Sequence, residues 1–262
     1  MNMYSMKNQT ETYHFPLIAL EETDSTNRYL TTLCDTEGEQ TAEFTTVTAR
    51  YQTAGKGQRG NSWEAERNKN LLFSVVLYPT FLPARNQFVL SQILSLAIKE
   101  ELSQWSDEIT IKWPNDIYWR ERKICGILIE NDLAGHHIGR CICGVGLNIN
   151  QEHFVSDAPN PVSLKQITGK EHQPEEILSH ILQRLSTYYE GLKLADRTSY
   201  SAEISARYAR SLFRRRGYHA YQDAQGLFQA RLLRVEGDGR FVLEDKQGQE
   251  RSYLFKEVQY VI

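Results

Sequence analysis

The sequence predicts an α/β (α+β) fold, with one large domain of helices and strands and one small β-barrel. Apolar side chains recur at helical spacing over residues 88–102 and again over 177–189. Between these stretches lie short apolar or alternating runs that are typical of strands. Beyond Phe213, short β-rich runs alternate with glycine turns, which indicates a small barrel. A chain of 262 residues, 40% of them hydrophobic, is long enough for both parts.

The first half of the chain predicts six strands and two helices. Residues 17–20 form the first strand, and the polar residues 21–27 supply N-cap oxygens for a helix through Leu33. Further strands are predicted at 44–49, 71–78, 109–112, 126–131 and 138–148. The stripe over 88–102 predicts the second helix, since its apolar positions fall on one face.

The second half predicts two helices and then the barrel. The helices are expected at 177–189 and 199–212, and the barrel strands at 227–235, 241–244, 253–255 and 258–262. The predicted organisation is a short tail over 1–16, the large domain over 17–212 and the small domain over 213–262.

Composition narrows the function classes. The formal net charge of −3 does not indicate nucleic-acid binding, and residues 1–14 have no apolar signal core. No apolar run approaches the roughly 20 residues of a membrane span. The cysteines lack the second ligand pair of a zinc site, so buried or half-buried thiols in a reduced cytosol are expected. They are Cys34, Cys125, Cys141 and Cys143, of which the last two should share one strand face.

The run from Lys112 to Asp116 (Lys-Trp-Pro-Asn-Asp) is the most informative motif. Pro114 ends a strand, which places Lys112 at a strand end, where ligands often bind. Lys123 begins the next strand shortly afterwards. A lysine at a strand end is often a solvated edge residue, and that interpretation fits Lys123 alone. Two lysines that flank an amide and a carboxylate favour a catalytic site.

A glycine-rich basic loop precedes this motif. Its glycines allow consecutive N–H groups to converge on an anion, and Trp63 at its end could stack on a base. The spacing fits neither a Walker P-loop nor a dinucleotide fingerprint. A mobile surface loop remains an alternative. The loop contains Gly55, Lys56, Gly57, Gln58, Arg59 and Gly60.

Three further segments have weaker signals. Gly144 and Gly146 lie near the end of a predicted strand, before Asn148, where they permit close approach of a ligand or satisfy packing alone. Helix capping fully explains the polar residues 24–27, and a ligand role for them needs other support. The arginines at 214–216 are too few for a basic patch and fit a solvated face.

These motifs together resemble the biotin–protein ligases, also called biotin–[acetyl-CoA-carboxylase] ligases, over residues 17–262. The resemblance implies a mixed-sheet catalytic domain of the biotin/lipoate ligase type, followed by an SH3-like barrel. Relatives with an N-terminal DNA-binding domain also act as repressors. The segment before Leu17 is too short for a helix-turn-helix, so the catalysis-only type is expected, with no DNA partner and no membrane.

The resemblance also implies roles for individual residues. Lys112 and Lys123 are the expected catalytic lysines. The expected biotin contacts are Ser25, Thr26, Asn27, Gln52, Lys56, Gly57, Gln58, Lys123, Gly126 and Gly144. The expected nucleotide contacts are Gly55, Lys56, Gly57, Gln58, Arg59, Gly60, Trp63, Lys112, Asn115, Asp116, Gly146 and Asn148. Two positions depart from the family's pattern: Lys56 replaces the loop's first arginine, and Gln58 occupies the next basic position, beside Arg59.

The implied reaction joins biotin to a lysine of a biotin carboxyl carrier protein, through biotinyl-5′-AMP and with release of pyrophosphate. ATP and biotin are the substrates, and Mg²⁺ accompanies ATP with Asp116 as its candidate ligand. The carrier is a transient partner, and the enzyme is expected to be a cytoplasmic monomer or weak homodimer. The alternatives are a lipoate ligase or octanoyl transferase, and an SH3-like adaptor or repressor that uses residues 213–262.

Overall fold

The computed structural model describes residues 15–37, 40–155, 160–194 and 196–262, and it confirms the α/β class. Within these residues the larger sheet has seven strands in the order β1-β2-β3-β7-β6-β5-β4. Strands β1 and β2 are parallel and the other neighbours are antiparallel, so the sheet is mixed. The strands are β1 (Leu17–Leu20), β2 (Thr46–Ala49), β3 (Leu71–Leu77), β4 (Ile109–Lys112), β5 (Asp116–Trp119), β6 (Arg122–Ala134) and β7 (His137–Leu147).

Helices cover both faces of this sheet. Helices α2, α4 and α5 contact one another on one face, and α1 contacts β2, β3 and β7 on the other. The helices are α1 (Thr26–Glu37), α2 (Phe88–Leu102), α3 (Leu164–Thr168), α4 (Pro174–Lys193) and α5 (Arg197–Arg210). Helix α2 is buried on nearly all sides, because the sheet, α4 and α5 surround it.

Strand alternation determines which face holds the site. Phe73 and Val75 of β3 enter the main core beneath the helices, whereas Val76 joins a smaller core with Leu30 of α1. Ser74 has the same parity as Val76 and therefore faces the α1 side. Gly144 lies directly opposite Ser74 in the register. The glycines of β7 consequently open space on the α1 side of the sheet.

The C-terminal part forms a separate five-stranded antiparallel sheet in the described residues, with the order β11-β10-β9-β8-β12. Tyr221, Phe241 and Leu243 are fully buried in it. This agrees with the expected small β-barrel. Its strands are β8 (His219–Asp223), β9 (Gly226–Val235), β10 (Phe241–Asp245), β11 (Glu250–Tyr253) and β12 (Gln259–Tyr260).

Several predicted strands and helices differ in their bounds from those in the structure. Strand β11 covers 250–253 and not 253–255, because the chain turns after Tyr253 and Lys256 has a positive φ of 74°. The predicted strand over 44–49 starts at Thr46, since Phe44 is left-handed with φ 65°. Strands β5 and β8 and the short helix α3 were not predicted, because each is five residues or shorter and has no strong periodicity.

The four cysteines occur as the sequence predicts. All four cysteines are buried free thiols, and the Sγ atoms of Cys141 and Cys143 lie 3.5 Å apart on one face of β7. None of the helices in the described ranges combines the length and apolarity needed to cross a membrane.

Candidate functional site

One cavity of about 1190 Å³ collects the predicted site residues. It lies on the α1 side of the larger sheet and is closed at one end by the C-terminal barrel. Seventeen of the nineteen predicted residues line it: Ser25, Thr26, Asn27, Gln52, Lys56, Gly57, Gln58, Gly60, Trp63, Lys112, Asn115, Asp116, Lys123, Gly126, Gly144, Gly146 and Asn148. Residues from separate parts of the chain therefore share one site.

Two predicted residues are not among those that line the cavity. Gly55 is buried beneath the loop, where a Cβ atom would lie 2.7 Å from the carbonyl oxygen of Trp63. A glycine is needed for this close backbone approach, and the expected nucleotide contact of Gly55 stays a prediction. The side chain of Arg59 lies outside the described residues.

The two lysines are held by one hairpin and the strand beside it. Lys112 ends β4 and lies directly opposite Asp116, which begins β5. The turn between them contains a cis Trp113–Pro114 peptide bond. Asp116 Oδ2 is 2.7 Å from Lys123 Nζ, at the start of β6. Lys112 Nζ instead donates a 3.1 Å hydrogen bond to the hydroxyl of Tyr118.

The pKa of Lys112 is below its ordinary value. Removal from water lowers the pKa of its ammonium, and the nearby cations Lys123 and Arg214 lower that pKa further. The Asp116 carboxylate opposes these effects and raises the pKa. A partly desolvated cation is a strong stabiliser of negative charge that develops beside it.

The glycine loop folds back on itself. The Gly57 N–H donates to the Asn61 carbonyl at 2.6 Å, and the Trp63 N–H donates to the Gly55 carbonyl at 2.9 Å. The indole of Trp63 then lies across Gly126 of β6 and Gly146 of β7. A Cβ atom at Gly126 would come within 2.7 Å of the ring, so these glycines provide room for the tryptophan.

Gln58 connects the loop to the lysine hairpin. Its Nε2 donates to Asn115 Oδ1 at 3.3 Å and to the Ile127 carbonyl at 3.2 Å. Asn115 is itself buried. The amide at this position therefore faces the cavity and holds the loop against β6.

A chain of polar groups lies at the end of the cavity near α1, where Gln52, Thr26 and Asn27 line the cavity and hydrogen bonds extend the chain to Ser74 and Glu130. Gln52 Oε1 accepts the Thr26 N–H at 2.7 Å and so caps the helix, while the Thr26 hydroxyl lies 3.1 Å away. The Ser74 hydroxyl lies 2.8 Å from Thr26 Oγ1 and donates to Asn27 Oδ1 at 2.5 Å. Asn27 Nδ2 donates to Glu130 at 2.7 Å.

Sequence reasoning missed Ser74 and Glu130. Each lies inside a predicted strand, where a single polar side chain has no local motif. The alternation of β3 could have placed Ser74 on the same face as the glycines of β7.

Three buried polar atoms of cavity-lining residues have no hydrogen-bond partner within the described part of the chain. They are the indole Nε1 of Trp63, Oδ1 of Asn148 and the hydroxyl of Tyr260. The other amide atom of Asn148, Nδ2, donates to the Val162 carbonyl at 3.1 Å. Buried polar groups normally have partners, so a donor and an acceptor are left for a ligand.

The barrel completes the wall, which the sequence did not predict. Phe255, Lys256, Val258, Gln259 and Tyr260 line the cavity. The indole Nε1 of Trp113 donates to the Gly239 carbonyl at 2.9 Å, and its ring stacks on Phe241 with a centroid distance of 4.8 Å. The turn after Lys112 is therefore fixed to the barrel.

The chain is similar to known ligases in sequence. Residues 19–148 match the model of the biotin/lipoate A/B protein ligase family. The bifunctional ligase/repressor BirA of Bacillus subtilis is 26% identical over 225 residues, which cover 80% of this chain and 65% of that protein. The biotin–[acetyl-CoA-carboxylase] ligase of Paracoccus denitrificans is 32% identical over 139 residues, or 50% of this chain and 57% of that one. The matches thus span less than two thirds of either relative.

The fold is also similar. The biotin protein ligase from Aquifex aeolicus, solved in complex with biotin and ATP, superposes with a TM-score of 0.75 at 25% identity. The similarity covers 94% of this chain and 99% of that one, and it includes both the larger sheet and the barrel. Residues 19–148 of the chain therefore belong to the biotin/lipoate A/B protein ligase family.

Proposed function

We propose that the protein is an ATP-dependent ligase that activates biotin as biotinyl-5′-AMP and transfers it to a lysine of a biotin carboxyl carrier protein. The observation that carries this proposal is the convergence of Lys112, Lys123 and the glycine loop on one cavity. At about 1190 Å³, that cavity exceeds the roughly 300–1,000 Å³ typical of single-ligand pockets, which suits two substrates.

The first step has to bring two anions together. An oxygen of the biotin carboxylate attacks the α-phosphorus of ATP, a new P–O bond forms, and the bond to pyrophosphate breaks. Lys112 and Lys123 offset the repulsion between the reactants and stabilise charge in the transition state. Lys112 suits this role because Asp116 pairs with Lys123 and leaves the Lys112 charge available.

The polar chain at α1 suits the head group of biotin. A ureido ring offers a carbonyl acceptor and two N–H donors inside an apolar ring system. Thr26 and Asn27 line the cavity with hydroxyl and amide groups that can pair with them, and the buried Ser74 hydroxyl holds both side chains in place. This assigns the acid to the α1 end and its carboxylate to the lysines.

The other half of the cavity suits the nucleotide. The loop from Lys56 to Gly60 supplies backbone N–H groups and a cation for phosphates. Trp63 offers an aromatic face, and the unpaired acceptor of Asn148 can take an N–H from the base.

Magnesium fits this site as a companion of ATP. No cluster of three or more histidine, cysteine or carboxylate side chains occurs in the described ranges. Mg²⁺ usually takes one or two carboxylates together with substrate phosphates, and Asp116 can provide one such ligand. When bound, the ion would neutralise phosphate charge.

The second step is acyl transfer to the carrier. The lysine amine attacks the acyl carbon, an amide bond forms, and AMP leaves with the former anhydride oxygen. The amine must be neutral to attack. The cations Lys112 and Lys123 favour that form, because like charges lower the pKa of an incoming ammonium.

A cysteine-dependent transferase is the alternative that the structure disfavours. Cys125 lies near the lysines but is fully buried, and burial raises the pKa of its thiol well above the usual range. A nucleophilic thiolate would need the opposite shift. The buried free thiols also suit the reduced cytosol proposed as its location.

The test is the acid dependence of pyrophosphate release from MgATP. Biotin should support release, whereas lipoate and octanoate should leave it at the rate without acid. Release with lipoate or octanoate but not with biotin would replace this proposal with a lipoate-type activity.

A further inference from the structure

The ammonium of Lys112 lies between two tyrosine rings. Its Nζ is 4.8 Å from the ring centroid of Tyr118 and 5.1 Å from that of Tyr260. Both distances fall within the roughly 6 Å at which a cation is attracted to an aromatic face. Tyr118 belongs to β5, next to β4, but Tyr260 comes from β12 of the barrel.

The two rings are parts of one packed cluster. Phe213 lies between them, with centroid distances of 5.6 Å to Tyr118 and 5.8 Å to Tyr260. We call Tyr118, Phe213 and Tyr260 the aromatic bracket. Tyr260 is further held by Tyr221 at 5.2 Å and Phe241 at 5.8 Å, both in the barrel core. Its ring is therefore fixed by the barrel.

Lys112 depends on this bracket for its position. A lysine has a flexible four-carbon stem and a point charge, so it needs partners to hold one geometry. Asp116 lies opposite it across the hairpin, but the Asp116 carboxylate pairs with Lys123. Within the described part of the chain, Lys112 makes no ion pair within 4.0 Å. Its ammonium contacts the Tyr118 hydroxyl at 3.1 Å and the two rings.

We infer that Tyr260 is a positioning residue, through which the C-terminal barrel holds the Lys112 ammonium in place for carboxylate activation. This inference rests on the proposed function. Tyr260 acts on the reaction through Lys112, and the barrel is thereby coupled to the first chemical step. The anchoring of Trp113 fixes the backbone beside Lys112, whereas Tyr260 fixes its charged end.

The first test compares variants in biotin-dependent pyrophosphate release. Tyr260→Leu, and Tyr260→Met with its longer side chain, remove the ring and should lower kcat about tenfold, with the KM for biotin changed less than about twofold. Tyr260→Phe keeps the ring and should recover most of the rate. Tyr253→Leu is the matched control, because it removes a buried barrel tyrosine that does not line the cavity.

The second test does not need activity. Wild type and variants are treated briefly with an amine-acylating reagent, and lysine labelling is measured by mass spectrometry. Labelling of Lys112, relative to the exposed Lys170, should rise severalfold in Tyr260→Leu and Tyr260→Met but not in Tyr260→Phe or Tyr253→Leu. Circular dichroism checks that each variant is folded.

The outcomes separate the two proposals. Wild type without biotin-dependent release would refute the proposed function, while the labelling would still decide the role of Tyr260. An active wild type whose Tyr260→Leu and Tyr260→Met variants keep normal kcat and normal Lys112 labelling would overturn the inference. So would a Tyr253→Leu variant that reproduces both changes, because the effect would then belong to the barrel in general.

Discussion

Asp116 Oδ2 lies 2.7 Å from Lys123 Nζ, although Asp116 stands opposite Lys112 in the hairpin register. Both side chains of this pair are 29% exposed, so the pair is partly shielded from water. The single carboxylate of the hairpin thus compensates one lysine and leaves the buried charge of the other for substrate. In the proposed mechanism, Lys112 therefore has the larger role in stabilising the transition state.

Lys112→Met should leave the fold intact and lower the rate of adenylate formation by about 10²–10³-fold, as loss of one charge-stabilising group does in other sites. Biotin affinity should change much less, because the charge matters mainly in the transition state. Single-turnover kinetics and calorimetric titration measure the two quantities. Lys170→Met, at an exposed lysine, is the control. Adenylate formation at a near-normal rate in Lys112→Met would show that Lys112 does not stabilise the transition state.

Adenylation should lose rate as the pH rises through the pKa of Lys112, which burial holds below the ordinary lysine value. Lys112→Arg keeps its charge and should move this alkaline limb to higher pH. The same pKa shift affects the free energy of unfolding in the opposite direction. The partly buried ammonium lowers the stability of the fold while it is charged, and this penalty disappears as the pH rises from the folded-state pKa to the unfolded-state pKa.

The pH profile of pyrophosphate release, together with thermal unfolding at each pH, checks this prediction. If the alkaline loss of rate occurs at the same pH in Lys112→Arg as in the wild type, the titrating group is not Lys112. A limb that coincides with unfolding would mean that the loss of rate is structural.

Gly146→Ala should reproduce the effect of Trp63→Ala on the nucleotide. A methyl group at Gly146 collides with the indole and has to displace it. Both variants should weaken ATP binding by roughly 1–3 kcal/mol, the usual value of a lost aromatic–base stack, and should affect biotin less. Calorimetry with each substrate distinguishes the roles. Equal losses for ATP and biotin would make Trp63 a structural residue only.

The sequence motifs, with the family resemblance that they carry, predicted half of the residues that line the cavity, because the chemistry of these motifs is local. Glycines, lysines and a proline at fixed spacing identify a strand end and an anion-binding loop without tertiary information. The sequence did not predict which ion pairs and hydrogen bonds these side chains form. Asp116 pairs with Lys123 and Gln58 with Asn115 only after three strands and a loop come together.

The sequence also did not predict that residues of the barrel line the cavity. Phe255 and Tyr260 lie in two of the predicted barrel strands, but nothing near them in sequence indicates a cavity. Their position follows from the stacking of Trp113 on Phe241, a contact between distant segments. Non-local packing of this kind determines the site but leaves no periodic signal.

Gln58→Arg should slow the release of biotinyl-5′-AMP. In the structure, Gln58 faces the cavity with a neutral amide. A charge-assisted hydrogen bond to the adenylate phosphate would contribute roughly 1.5–3 kcal/mol, against about 1 for a neutral bond. The measurements are the dissociation rate of preformed adenylate and the stray biotinylation of a bystander protein, and both should decrease.

Arg59→Gln is the companion variant. If release is unchanged in Gln58→Arg but faster in Arg59→Gln, the phosphate is held by Arg59 and the role given to Gln58 is wrong.

The most direct measurement follows oxygen from biotin labelled with ¹⁸O in its carboxylate. In the proposed mechanism a carboxylate oxygen attacks the α-phosphorus and remains with AMP when the carrier lysine attacks the acyl carbon. Mass spectrometry after one turnover should therefore find one ¹⁸O atom in AMP and none in pyrophosphate. Label in inorganic phosphate with formation of ADP, or AMP without label, would contradict the activation of biotin at the α-phosphorus in this cavity.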